Sequence, residues 1–117
     1  MNVSDVVELL INQSCVDVNV QDEYGLTPMS KAATWGYSRI IDILARAGAD
    51  PDIASINGGT PLMVSVFFGY KDVVEYLLKL WVDVNARDIH DKTALYWARW
   101  SNHRAIAKLL RAFGATL

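Results

Sequence analysis

Two histidines, one cysteine and a recurring set of aspartates are the side chains best suited to chemistry in this 117-residue chain. A tetrahedral metal site needs four ligands at workable spacing. His90, His103 and the distant Cys15 offer no such spacing, so no metal site is predicted. Asn57-Gly58-Gly59 is flexible enough to approach a phosphate, but the Gly-Lys-Ser/Thr of a phosphate loop does not follow it, and it reads as a turn. Asp22, Asp50, Asp83 and Asp88 recur at matching places along the chain. A carboxylate repeated in this way does the same structural work each time, and here that work is closing turns. No acid–base pair breaks the symmetry. No catalytic residue, no cofactor and no enzymatic activity are therefore expected, and His90 reads as a surface contact residue.

The elements that carry these residues repeat. Thr27, Thr60 and Thr93 are 33 residues apart, and the chain reads three times in that register. Gly25, Gly58 and Asp91 align, as do Met29, Leu62 and Leu95; Gly36, Gly69 and Asn102; Ile40, Val73 and Ile106; and Leu44, Leu77 and Leu110. Each unit reads as two short helices. Threonine caps the first, with Pro28 or Pro61 at its opening position, where a missing N–H costs nothing. That helix runs about eight to ten residues before Gly36, Gly69 or Asn102, which tolerate left-handed geometry. Ser38, Lys71 or Arg104 opens the second, whose apolar residues (Ile40, Ile41, Ile43 and Leu44 in the first unit) share a face. Polar, glycine-bearing segments join the units as hairpin-like turns. Neither helix can bury its face alone, so the pattern predicts an all-α solenoid. Small Ala32, Ala33, Ser65 and Ala98 let the helices approach closely.

Composition narrows the function. The chain is 52% apolar, enough for one domain with a core, and its 11 basic and 13 acidic residues give a net charge of −2. No Lys/Arg cluster is visible along the sequence, so binding to nucleic acid or to an anionic membrane is not expected. No apolar run approaches the roughly 20 residues needed to span a bilayer. The opening MNVSDVVELL lacks the basic segment of a signal peptide, and a lone cysteine suits a reducing compartment. An intracellular, cytoplasmic location is the expectation.

The units resemble ankyrin repeats. The resemblance rests on DEYGLTPMSKAA with GADPDI, on GGTPLMVSV with VDVNA, and on DIHDKTALYWAR. VVELLINQSCVDVNVQD resembles the second half of one more unit. A single ankyrin-repeat domain over residues 1–117 is predicted: a half repeat (1–21), repeats at 22–54 and 55–87, and a C-terminal repeat at 88–117. The chain departs from the family in places. Ser30, Met63 and Tyr96 replace the histidine that follows Thr-Pro-Leu. His103 stands where the family commonly has a turn histidine and is expected to be structural. Cys15 and Trp81 occupy a glycine position filled by Gly48 and Gly114. For Trp81 this implies either a different helix exit or a residue placed to make a contact. Arg104, Lys108 and Arg111 suit a solvated outer face on the last helix. At the other end a second helix, Asp5 to Ile11, has no first helix before it, so the chain is either a fragment or carries this helix as a cap.

The resemblance implies a non-catalytic protein–protein interaction module. Partners would dock on the turn tips and on the inner face of the first helices, near their C-terminal ends. On this chain those positions give Tyr24, Leu26, Ile56, Asn57, Ile89 and His90 at the tips, and Trp35, Phe67, Phe68 and Trp100 at the helix ends. So many exposed aromatic and aliphatic groups on one side would form an apolar interface. Phe67 and Phe68, adjacent in the middle unit, are expected at its centre. Tyr96 and Trp97 are expected to pack between units. The alternative is a structural fragment or self-associating domain that pairs through Val3, Val6 or Leu10 at its N-terminal end. A monomer is expected on the first reading and a dimer on the second. The resemblance also implies a possible hydroxylation of Asn85, eight residues after Leu77; its ordinary role would be to hydrogen-bond the turn backbone.

Overall fold

The computed structural model describes residues 17–116. The helix expected over Asp5 to Ile11, most of the half repeat, and Cys15 lie outside the described residues. Six helices follow: α1 (Pro28–Trp35), α2 (Ser38–Arg46), α3 (Pro61–Phe68), α4 (Lys71–Lys79), α5 (Ala94–Trp100) and α6 (Arg104–Ala112). No strand occurs among the described residues. The first helices α1, α3 and α5 pack in one layer, the second helices α2, α4 and α6 in another, and each pair packs within its unit.

The 33-residue register sets the helix boundaries through backbone chemistry. Thr27, Thr60 and Thr93 each accept the N–H three residues on through Oγ1, at 3.2, 3.3 and 3.3 Å. Each first helix stops where the chain turns left-handed, at Gly36 (φ 72°), Gly69 (φ 80°) and Asn102 (φ 60°). The next N–H then closes the turn onto the helix, from Tyr37 to Ala32, from Tyr70 to Ser65 and from His103 to Ala98. α5 has only seven residues, slightly short of the expected span.

Stacking demands close approach. A Cβ on Gly36 would stand 2.9 Å from the Tyr70 ring, and one on Gly69 would stand 2.7 Å from the His103 ring. The ring of each following unit thus lies over the turn of the unit before it. Ala33, Ser65 and Ala98 are fully buried between layers, and the Ser65 hydroxyl is satisfied by the Leu62 carbonyl at 2.9 Å. Ile41, Leu44, Val73, Val74, Leu77 and Leu110 complete a continuous core. Each such side chain contributes roughly 1.5–3 kcal/mol by leaving water. Ile43, placed on that face by its spacing, is only half-buried because the buried stripe is narrower. Tyr76 on α4 donates to Asp42 on α2 at 2.6 Å; burial and this carboxylate push the phenol up to about 12.

The turns join into a continuous edge. In each, the leading N–H donates to the carbonyl four residues on: Asp22 to Leu26, Ser55 to Gly59, Asp88 to Lys92. Neighbouring tips bond directly, with Ile56 N–H to the Tyr24 carbonyl and Ile89 N–H to the Asn57 carbonyl, both 3.0 Å. A second ladder runs through the loops after the second helices. Asn19 accepts from Asp50 N–H at 2.7 Å, Asp52 from Asp83 N–H at 3.0 Å, and Asn85 from Thr116 N–H at 2.8 Å.

Trp81 corrects one expectation. The helix exit there is not different: Trp81 adopts φ 61°, as Gly48 and Gly114 adopt 91° and 94°. Its indole is 88% exposed, so no burial compensates for the strained backbone. Trp81→Gly is expected to stabilise the fold by about 1 kcal/mol, the left-handed penalty of a side chain, read as a higher denaturant midpoint. Gly69→Ala and Gly48→Ala both place a methyl at positive φ, but only Gly69 has a ring in the way, whereas nothing lies within 4 Å of Gly48. Gly69→Ala is expected to lower the midpoint more than Gly48→Ala; equal losses would show that strain alone matters.

Candidate functional site

The end of α3 and the length of α5 bring six aromatic rings together. Phe67 and Trp100 occupy the same register position in successive units, and their rings stack with centroids 6.0 Å apart and planes at 16°. Trp97, one turn before Trp100, meets both edge-on, at 5.8 Å from Phe67 and 5.9 Å from Trp100. Phe68 meets Phe67 edge-on at 5.2 Å and lies 6.1 Å from Tyr70, while Tyr96 meets Trp97 edge-on at 5.1 Å. Such edge-to-face and offset pairs are worth about 0.5–1.5 kcal/mol each beyond burial. The cluster nevertheless stays open to solvent: Phe67 is 39% exposed, Phe68 50% and Trp100 64%.

One carboxylate ties this cluster to the turn of the last unit. Asp88 Oδ2 accepts the Trp97 indole N–H at 3.1 Å, and Oδ1 accepts the N–H groups of His90 (2.9 Å) and Lys92 (3.0 Å). Desolvation works against its charge, but the Lys92 N–H, the Trp97 indole and the His90 N–H outweigh it and hold the carboxyl below its ordinary value. Asp22 does the same work in the turn of the first unit. The Leu26 N–H lowers its carboxyl most, against desolvation, with help from the Tyr24 N–H and the Lys31 ammonium at 3.3 Å. Beside the rings lies a cleft of about 340 Å³ lined by Asn57, Gly59, Met63, Val64, Phe67, Asp88, His90 and Trp97.

The residues singled out in the sequence fall into separate places. Asn57, Phe67 and His90 line this cleft, and Phe68 and Trp100 flank it through ring contacts. Ile56 and Ile89 stand exposed at 65% and 61% on the neighbouring tips. Tyr24 is exposed on the first tip, where Leu26 is half-buried. Among the described residues Trp35 touches no other ring; it lines a different, largely apolar cleft of about 240 Å³ with Pro28, Tyr37, Ile40 and Leu44 among its walls. The exposed rings therefore do not make one row, because Thr34 stands where Phe67 and Trp100 stand in the later units.

Trp97 reaches across units to Phe67, yet it also walls the cleft, a role that sequence reading missed. The signal was its spacing of three from Trp100, which puts both on one helix face. Tyr96 is half-buried beneath the Lys92 ammonium, 4.5 Å from its ring centroid. Met63 and Ser30, which also replace the family histidine, are buried. His103 sits between units, with Nε2 3.3 Å from the Phe67 carbonyl and therefore donating to it. Asn85 belongs to the loop ladder: besides accepting from Thr116, its amide donates to the Gly114 carbonyl at 3.2 Å.

The C-terminal end adds a feature that sequence spacing does not show. No basic cluster shows along the chain, but the fold makes one. Arg99 from α5 meets Arg104 and Arg111 from α6 around a cleft of about 360 Å³ that also touches Ala98, Asn102, His103 and Ala107. Sequence spacing hides it because two helices supply the residues. Among the described residues, no three His, Cys, Asp or Glu side chains converge as metal ligands, and no helix is long and apolar enough to cross a membrane.

A family model for ankyrin repeats in three copies matches residues 47–116, and one for a single ankyrin repeat matches residues 24–56. Comparison with curated proteins finds no match.

The Asp88 carboxylate gives the site an acid limb. Its folded value is lowered from 3.8, so the stability it contributes is present above the unfolded value and is lost as pH falls through the lower folded one. Asp88→Asn is expected to lower stability at neutral pH and to flatten its decline below about pH 4. Denaturant titrations at several pH values check this; an unchanged acid slope would show that Asp88 is not held by these donors.

Proposed function

The chain belongs to the ankyrin-repeat family, and we propose that it binds a partner protein through the aromatic cluster on α3 and α5 and the turn tips beside it. Ankyrin repeats are generally protein–protein interaction modules, typically without catalysis. The observation that carries the finer reading is the contiguous group Phe67, Phe68, Trp97 and Trp100, held together by ring contacts, in which Phe67, Phe68 and Trp100 stay partly open to water while Trp97 packs on the core. A fold gains nothing from holding three large rings 39–64% exposed on one face. Aromatic side chains are the favoured anchors of interface cores, and each one buried contributes roughly 1.5–3 kcal/mol toward offsetting the cost of association.

Tip residues Ile56, Asn57, Ile89 and His90 would extend the contact, and the cleft between Asn57 and Trp97 would receive one partner side chain. Tyr24, Leu26 and Trp35 would contribute at the first unit. The chain acts as a monomer in this reading, in the cytoplasm. Pairing through the N-terminal end would instead depend on Val6 and Leu10, outside the described residues.

Phe67→Ala and Trp100→Ala are each expected to weaken partner binding by about tenfold or more, with circular dichroism unchanged. Lys79→Ala, on exposed α4 surface, is expected to leave it intact. Affinity capture with the intact chain and these variants, followed by titration of the captured protein, makes the comparison. Capture insensitive to both alanines but abolished by charges at Val6 or Leu10 would replace this reading with end pairing.

A further inference from the structure

The basic cleft at the C-terminal end is unlike the rest of the molecule. Every one of the 13 acidic residues precedes Lys92, whereas Lys92, Arg99, Arg104, Lys108 and Arg111 all follow the last of them. Elsewhere four of the described cations find carboxylates, in Lys31–Asp22, Arg46–Asp42, Lys71–Glu75 and Arg87–Asp91. Among the described residues, the guanidinium groups of Arg99, Arg104 and Arg111 make no ion pair and no hydrogen bond, yet they wall one cleft of about 360 Å³ with no acidic lining.

The repeat does not require these arginines. At the register position of Arg99 the earlier units carry buried Ala33 and Val66, and at that of Arg111 they carry Ala45 and buried Leu78. Those side chains pack against neighbouring elements of the stack. In the last unit two such positions hold guanidinium groups, and where Asp42 and Glu75 stand in the earlier units Lys108 adds another positive charge. Like charges gathered without counter-charge repel one another, so an anionic ligand gains what the protein alone does not recover. α6 begins at this cleft with no side-chain cap at His103, and the positive end of its dipole adds to the field.

We propose that this cleft binds a phosphoryl group. A phosphomonoester carries about −2 charge at neutral pH and three strong acceptor oxygens. Three planar guanidinium forks match that charge and geometry, since arginine pairs bidentately with phosphate. The volume is at the small end of the roughly 300–1,000 Å³ typical of ligand sites, which suits a small anion or a phosphorylated side chain entering from solvent. The site is separate from the aromatic cluster and does not depend on it.

The test uses the full chain, labelled for amide NMR, at constant ionic strength. Inorganic phosphate and a short phosphoserine peptide are titrated beside sodium chloride, acetate and the unphosphorylated peptide. Saturable shifts confined to the amides of Asn102 to Ala107 are expected with the phosphoryl probes alone. Tighter binding of the phosphopeptide would assign the site to phosphorylated protein, and equal binding to free phosphate. Arg99→Gln and Arg111→Gln, each folded by circular dichroism, are expected to weaken binding about tenfold, and Arg99→Lys by less than Arg99→Gln. The proposal is overturned if chloride or acetate produces the same shifts, if the glutamine variants bind as before, or if no probe moves these amides.

Discussion

Two short helices expose more apolar surface than they can bury against each other, so each unit of this protein is stable only against its neighbour. That constraint reaches into individual atoms. The Tyr70 and His103 rings lie where a Cβ on Gly36 or Gly69 would be, and Ala33, Ser65 and Ala98 leave no room between layers. Backbone bonds between the tips and the Asn19, Asp52 and Asn85 ladder hold the two edges of the stack in the same register. Once these contacts fix the spacing between units, side chains 33 residues apart become neighbours, and Phe67 is bound to meet Trp100.

The scaffold residues repeat, so the departures from repetition stand out. Thr, Gly, Asp and Leu recur in nearly every unit and are consumed by caps, turns and core. The rings of Phe67, Phe68, Trp97 and Trp100 form a cluster with no counterpart in the first unit; Phe67, Phe68 and Trp100 stay partly in water despite packing on one another, and Trp97 anchors them to the core. Arg99 and Arg111 depart in the opposite sense, putting charge where earlier units put apolar groups. A partly open aromatic face and a cationic cleft at one end thus coexist on the same repeated frame.

Local chemistry was legible in the sequence, and contacts across units were less so. Helix boundaries could be read because a threonine hydroxyl and a left-handed residue act within a few positions of themselves; even Asn102 and Asp91 behave as their glycine counterparts do. Trp81 was legible only as the occupant of a glycine position; sequence alone leaves open whether its side chain changes the helix exit, and the backbone keeps the left-handed geometry of Gly48 and Gly114. Trp97 looked like packing because its cross-unit contact with Phe67 hid its second role as a wall of the cleft. Trp35 looked like one of a row, but ring contact requires a neighbour in the same register column, and Thr34 breaks that column. The arginine cleft was invisible for a related reason: α5 and α6 each contribute too few charges to register as a cluster along the chain.

The claim that the aromatic face is where a partner sits is tested most directly by placing a photo-crosslinking phenylalanine analogue at single positions in the full chain. At Phe67 or Trp100 irradiation with the partner present should yield one discrete crosslinked product, whereas at exposed Lys79 on the opposite helix layer it should yield none. A discrete product from Lys79 with none from Phe67 or Trp100 would contradict the account.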